Sequence, residues 1–354
     1  MSFLGPRRLL VLSAVAWLLL GASGAGAQQD TAPAAKPAEP KPAKKPTKPA
    51  AAKPAAPKPA EAAKPAAPAP AGPPDPAFGA FQRGYYLTAF NEATKRIDAN
   101  GDPKAMTLLG ELYANGLGVP RNDTKAVEWY KLAADRGDAN AMFALATFHV
   151  TSRGGLSDKN EAVRLLAAAA KLGHAAASYD LGLLYLEGRQ FPQDYGRAAE
   201  LFRAAAQAGS PEAAYALAVL YREGRGVPKD DNEATRLLKA AALADNLDAE
   251  VEYGIALFNG TGTEKNEATA AKVLRRAALQ GSPIAQNRLA HLFMSGRGVA
   301  VDPIAAMKWH IIAKAGGLAD TALDEYTSKQ SAEARTAAEA AARPWVRAIA
   351  MSRS

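Results

Sequence analysis

The sequence predicts an all-α chain, a solenoid of antiparallel helix pairs in 36-residue repeats that follows a disordered N-terminal segment. Three observations carry that expectation. Glycine recurs at Gly101, Gly137, Gly173, Gly209, Gly281 and Gly317, spaced by 36 residues or twice that, with Asp245 in the one gap. Alanine recurs in the same frame in three further columns, Ala105 to Ala285, Ala126 to Ala306 and Ala133 to Ala313. The chain is 48% apolar by residue, yet large side chains are sparse, a mix that suits close helix contacts better than strands, which favour β-branched and aromatic residues. A fixed period in this range marks units that bury their faces against one another.

Residues 1–27 read as a signal peptide. Arg7 and Arg8 supply the charged start, Leu9 to Leu20 an apolar run, and Ala25-Gly26-Ala27 a small-x-small cleavage site. Twelve apolar residues fall short of the roughly 20 that a membrane span needs, so no stable span is expected after cleavage near Ala27. Ordinary secretion is the reading. The twin-arginine route and an uncleaved anchor are the alternatives.

Residues 28–75 are almost entirely Pro, Ala and Lys, as in KPAEPKPAKKPTKP. Proline fixes φ and removes backbone donors, so this stretch predicts a disordered, extended linker. Of the net charge of +8, residues 1–27 carry +2 and residues 28–75 carry +4, which leaves +2 on the remainder. A nucleic-acid binder concentrates basic charge on its folded part, so no nucleic-acid partner is expected.

Residues 76–101 read as a degenerate N-terminal cap repeat, residues 102–317 as six helix–turn–helix units, and residues 318–354 as a C-terminal helical cap. The first helix of a unit, helix A, opens on a capping residue and often Pro (Asp102-Pro103, Ser210-Pro211, Ser282-Pro283) and closes at Gly116, Gly188, Gly224, Gly260 or Gly296. Helix B opens at Asn122, Asp158, Asp194, Asp230, Asn266 and Asp302. Trp129, Leu165, Leu201, Leu237, Val273 and Trp309 are its expected core residues. Position 110 and its equivalents alternate between Gly and Ala (Gly110, Ala146, Gly182, Ala218, Gly254, Ala290), which predicts close helix approach. In the C-terminal cap an alanine-rich helix is expected at 331–342, followed by Pro344 and by Trp345, which closes the apolar end.

Units such as AYALAVLYREGRGVPKDDNEATRLLKAAALAD resemble Sel-one-like repeats, short relatives of tetratricopeptide repeats. The resemblance covers residues 102–317. It implies a right-handed superhelix with helices A lining the concave face, and members that act as adaptors, regulators and envelope or host-interaction proteins. The second unit departs from the pattern, with His149 for Tyr and Ser152 for the loop Gly, and the third has Gln190 for the second loop Gly. By tetratricopeptide geometry the inner surface carries Phe143, Tyr179 and Tyr215, then Glu187, Arg222, Glu223, Asn259, Asn287, His291 and Met294. Aromatic residues with polar neighbours suit capture of a protein or peptide.

Other chemistries find no support in the residues. The chain has no cysteine, hence no disulfide, cysteine nucleophile or thiolate metal site. None of its four histidines has metal-ligand spacing. The recurrent Gly-x-Gly follows a helix, whereas a phosphate loop follows a strand. No Ser-x-x-Lys is present. The expected function is therefore an exported, non-enzymatic protein-interaction scaffold, periplasmic or secreted, without cofactor or metal. The alternative is a peptidoglycan-associated envelope organiser that contacts the wall through its Lys/Pro linker.

Overall fold

A computed structural model describes residues 75–188 and 192–353. The expected export signal, the Lys/Pro linker up to residue 74 and Gln190 lie outside the described residues. Among those described there are sixteen helices and no strand, and no helix is long and apolar enough to cross a membrane.

Helices α1 (Pro76–Gln82) and α2 (Tyr86–Asn100) come first. Six pairs follow: α3 (Pro103–Asn115) with α4 (Asp123–Asp135), α5 (Ala139–Val150) with α6 (Lys159–Lys171), and α7 (Ala175–Glu187) with α8 (Tyr195–Gln207). Then come α9 (Pro211–Glu223) with α10 (Asp231–Leu243), α11 (Leu247–Asn259) with α12 (Glu267–Leu279), and α13 (Pro283–Ser295) with α14 (Pro303–Ala315). The chain closes with α15 (Thr321–Ser328) and α16 (Ala332–Arg353). Each paired helix packs on the helix before it and the helix after it, the contact pattern of a solenoid of helical hairpins.

Capping explains why the helices start where they do. Asp102, Asp138, Ser210, Asn246 and Ser282 cap helices A, and Asn122, Asp158, Asp194, Asp230, Asn266 and Asp302 cap helices B, each side chain accepting from a backbone N–H of the first turn. In α7 the cap is a histidine: His174 Nδ1 accepts from Ala177 N at 3.1 Å. Burial holds the pKa of this imidazole down, which keeps the accepting nitrogen free of a proton.

In the first four units side-chain sizes match at one crossing of the core, whereas in the fifth Gly254 stands against Leu274 and in the sixth Ala290 has His310 as its counterpart. A Cβ on Gly110 would lie 2.5 Å from the Tyr130 ring, and one on Gly182 would lie 2.6 Å from the Phe202 ring. Where the helix A position is alanine, at Ala146 and Ala218, its helix B counterparts in the repeat are the smaller Leu166 and Leu238. Tyr130 and Phe202 are fully buried. This corrects the sequence expectation, which placed the deep helix B side chain one residue earlier. Trp129, Leu165, Leu201 and Val273 are only half-buried, although Leu237 and Trp309 are buried. The deep position is the one that stands against the small residue of helix A.

Neighbouring units are joined at the loops. The second loop glycine of a unit sits on the first turn of the previous unit's helix B. A Cβ on Gly226 would meet Tyr195 at 2.2 Å, and one on Gly298 would meet Glu267 O at 2.1 Å. The residue between the glycines adds a clamp. Arg297 Nη2 donates to Glu267 at 2.5 Å, and Arg153, in the same place in the second unit, donates to Asp123 at 2.6 Å and to Ala114 O at 2.7 Å. The Arg153 guanidinium, with Arg121 behind it, holds the Asp123 carboxyl well below the usual carboxylate range. Gly118 meets Tyr86 in the same manner, so α2 serves as the helix B preceding the first full unit. In the second unit Ser152 adopts the left-handed conformation of the missing glycine, φ 52°, and α5 is one residue shorter than its counterparts. Asp245 fills the gap in the glycine column with φ 60°.

At the C-terminus, α16 packs on α14. The Trp345 and Trp309 rings meet at 5.7 Å. The helix runs on through Pro344 to Arg353 instead of ending near residue 342. Trp345, Val346 and Ile349 pack against the last core cluster, and that burial outweighs the backbone hydrogen bond that a proline removes.

Candidate functional site

Helix A has one face left over after it packs on helix B. The positions are 104, 107, 108, 111, 114 and 115 of the first unit and their equivalents, spaced to share one side of a helix. Helices A of successive units lie side by side there. Arg222 of α9 donates to Glu252 of α11 at 2.7 Å. The Tyr215 phenol lies within electrostatic reach of Glu252 and Asp248 of α11, of Arg222 of α9 and, across the other boundary, of the Tyr179 phenol of α7. Burial first, and the two carboxylates next, push the Tyr215 phenol pKa upward.

The residues expected on this face fall into three groups. Tyr179, Tyr215 and Arg222 come together over α7, α9 and α11, with Tyr179 also resting on the Phe202 ring at 5.7 Å. Glu187 is half-exposed, while Asn259 is exposed, as is Glu223, which pairs with Arg225 at 3.1 Å. The second group serves the joints between units. The Phe143 ring stacks on His174, the cap of the next helix A, at 4.7 Å. Asn287 Nδ2 donates to Asp320, the cap of α15, at 2.9 Å, and the His291 ring contacts the same carboxylate at 2.8 Å. Thr107 makes the corresponding contact to Asp138 at 2.9 Å. Position 107 thus commonly reaches for the cap of its neighbour. Met294, the third case, lies against the last core cluster.

Sequence reasoning placed Glu187 and Glu223 on this face and missed four further carboxylates. Asp180, Glu212, Asp248 and Glu252 stand at positions 104 and 108 of their units. Asp180 is half-buried, and burial pushes its carboxyl up to about 7. The available signal was a charged residue at a position that is Leu108, Ala144 or Ala216 in other units. Among the described residues no three His, Asp or Glu side chains gather as a metal site.

A separate recess of about 420 Å³ lies where α4, α5 and α6 meet, floored by Met142, Leu145 and Leu165 beside His149 and rimmed by Lys131 and Arg164. It coincides with the unit whose tyrosine is replaced by His149.

The family model of the Sel1 repeat matches six consecutive stretches, 103–138, 139–174, 175–210, 211–246, 247–282 and 283–318. The chain belongs to the Sel1 repeat family. Its frame is one residue out from the frame read off the glycine column. Two solved structures support the assignment. A Sel1 repeat protein from Oxalobacter formigenes is 27% identical, with a TM-score of 0.55 over 68% of this chain and 97% of that one. A protective antigen present in uropathogenic Escherichia coli strains, displaying an SLR fold, is 25% identical with a TM-score of 0.51 over 74% of this chain and 64% of that one. No curated protein matches the sequence. Sel1 repeat proteins are generally protein–protein interaction scaffolds, and the fold is typically non-catalytic.

Proposed function

We propose that this Sel1 repeat chain is an exported interaction scaffold that holds a protein or peptide on the helix A face of its third to fifth units, the concave side in the family geometry. The observation that carries the reading is the run of Tyr179, Tyr215, Arg222 and Glu252 across three neighbouring helices, α7, α9 and α11. Amphipathic aromatic rings with hydrogen-bonding neighbours make favourable contact with an extended guest. Export rests on Arg7-Arg8, the apolar run and Ala25-Gly26-Ala27. The reading assigns the chain no catalytic step.

The test is affinity capture from cell-envelope extract with the full chain and with a Tyr179→Ala/Tyr215→Ala variant of unchanged helical content. The guest is expected on the wild-type protein and on Leu132→Ala, which alters an exposed helix B residue, and is expected to be lost from the double variant. Equal capture by all three proteins removes the helix A face from consideration.

A further inference from the structure

The helix A face carries a charge pattern with one place left open. Along α7, α9 and α11 it presents Asp180, Glu187, Glu212, Asp248 and Glu252, with Glu223 taken up by Arg225 at 3.1 Å, and the guanidinium these helices set among them is Arg222. Two of the carboxylates occupy the same place in their units, Asp180 and, 72 residues on, Glu252. Glu252 is answered from the preceding unit by Arg222 at 2.7 Å. The residue in Arg222's place before Asp180 is Val150, which is 53% exposed. Asp180 makes no hydrogen bond or ion pair among the described residues, and the groups around it desolvate it without supplying a counter-charge.

A half-buried carboxylate without a donor is costly, and a cation brought by a guest relieves that cost where a neutral group does not. The surrounding acidic residues favour the same sign of partner and steer it in. We propose that the guest of this face is a basic protein segment, one of whose lysine or arginine side chains fills the cation place opposite Asp180 while its neighbours follow Glu187, Glu212, Asp248 and Glu252. The inference deepens the helix A reading and rests on it. Arg222 competes with the guest for Glu252.

The test titrates the full chain with fluorescein-labelled eight-residue peptides that alternate alanine with lysine, arginine, glutamine or glutamate, read by anisotropy at low salt. The lysine and arginine peptides are expected to bind at least ten-fold more tightly than the glutamine peptide, and the glutamate peptide not at all. Asp180→Asn, which retains shape and removes charge, is expected to weaken the basic peptides about ten-fold. Arg222→Gln is expected to strengthen them several-fold, a change that lost folding does not produce. Glu128→Gln, on the exposed side of α4, is the control and is expected to change neither. Equal affinity for the lysine and glutamine peptides overturns the proposal, as does an Asp180→Asn protein that behaves like the control. Should the glutamine peptide bind as well as the lysine peptide and lose affinity in Tyr215→Ala, the helix A face stands as the binding site and the basic guest is refuted. Absence of binding by every peptide, with the captured envelope protein still lost from the tyrosine double variant, likewise refutes the basic guest and leaves the face standing.

Discussion

Substituting Gly182 by alanine tests whether the units are held by matched side-chain sizes. In isolation the change should help, because alanine in a helix interior is favoured over glycine by about 1 kcal/mol. Here the new methyl would sit 2.6 Å from Cε1 and 2.9 Å from Cδ1 of Phe202. That ring is fully buried and lies 5.7 Å from the Tyr179 ring, so it has little room to retreat. Overpacking of a well-filled core costs about 1–3 kcal/mol, and so close an approach belongs at or above the upper end. Gly182→Ala should therefore lose about 2 kcal/mol net. Phe202→Leu alone should lose about 1–2 kcal/mol through the space it leaves. The combination recreates what the second and fourth units already contain, Ala146 with Leu166 and Ala218 with Leu238. The double variant should fall within about 1 kcal/mol of wild type, a coupling of about 2 kcal/mol or more between the two sites. Urea unfolding followed by circular dichroism gives all four corners of the cycle. Simple additivity, with the double variant losing about 3–4 kcal/mol, would show that the alternation of glycine and alanine has no packing meaning.

Other consequences concern single groups. Asp180 binds a proton in the native protein up to about pH 7, whereas in the unfolded chain it releases one near pH 3.9. The native state holds the extra proton between those values, so this group lowers stability as pH rises from about 4 to about 7, and the loss stays level above. Asp180→Asn should raise the thermal midpoint at pH 8.5, the gain bounded by about 4 kcal/mol, and the gain should vanish as pH falls to 4. A difference that ignores pH refutes the desolvation reading. The fully buried Glu250 accepts from Arg276 and from Gln280 at 2.8 Å. Arg276→Ala should cost about 3 kcal/mol in urea unfolding by stranding a buried charge, and adding Glu250→Gln should recover much of it. If Arg276→Ala is silent, the pair has no part in joining α11 to α12. Ser152→Gly and Asp245→Gly relieve left-handed backbone at φ 52° and 60°. Each should raise the melting temperature by an amount equivalent to about 1 kcal/mol or less, and destabilisation in both would contradict the strain assigned to them.

The solenoid was legible because its determinants are local and repeated. A cap, an apolar stripe and, in five of the six units, a terminal glycine recur every 36 residues, and six copies fix the period. Other features depended on what faces what. The choice of Tyr130 over Trp129 as the deep side chain follows from the small residue across the crossing, which one helix's pattern does not contain. The passage of α16 through Pro344 follows from the burial of Trp345 and Val346 on the last unit's cluster, a tertiary gain that local propensity does not register. On the helix A face the column positions were readable, but the partners were not. Asn287 and His291 engage the Asp320 cap, Phe143 stacks on His174, and Asp180, which has no hydrogen-bond or ion-pair partner among the described residues, stands in a position held by leucine or alanine in three other units and by Glu252 and Arg288 in the remaining two.

A photo-crosslinking amino acid placed at Tyr215 of the full chain, and in a second protein at Leu132 on helix B, asks directly which surface a guest touches. On irradiation in native envelope extract, the helix A face should yield a covalent adduct from position 215 and none from position 132. Adducts from Leu132 with none from Tyr215 would place the guest on the other side of the solenoid and contradict the account.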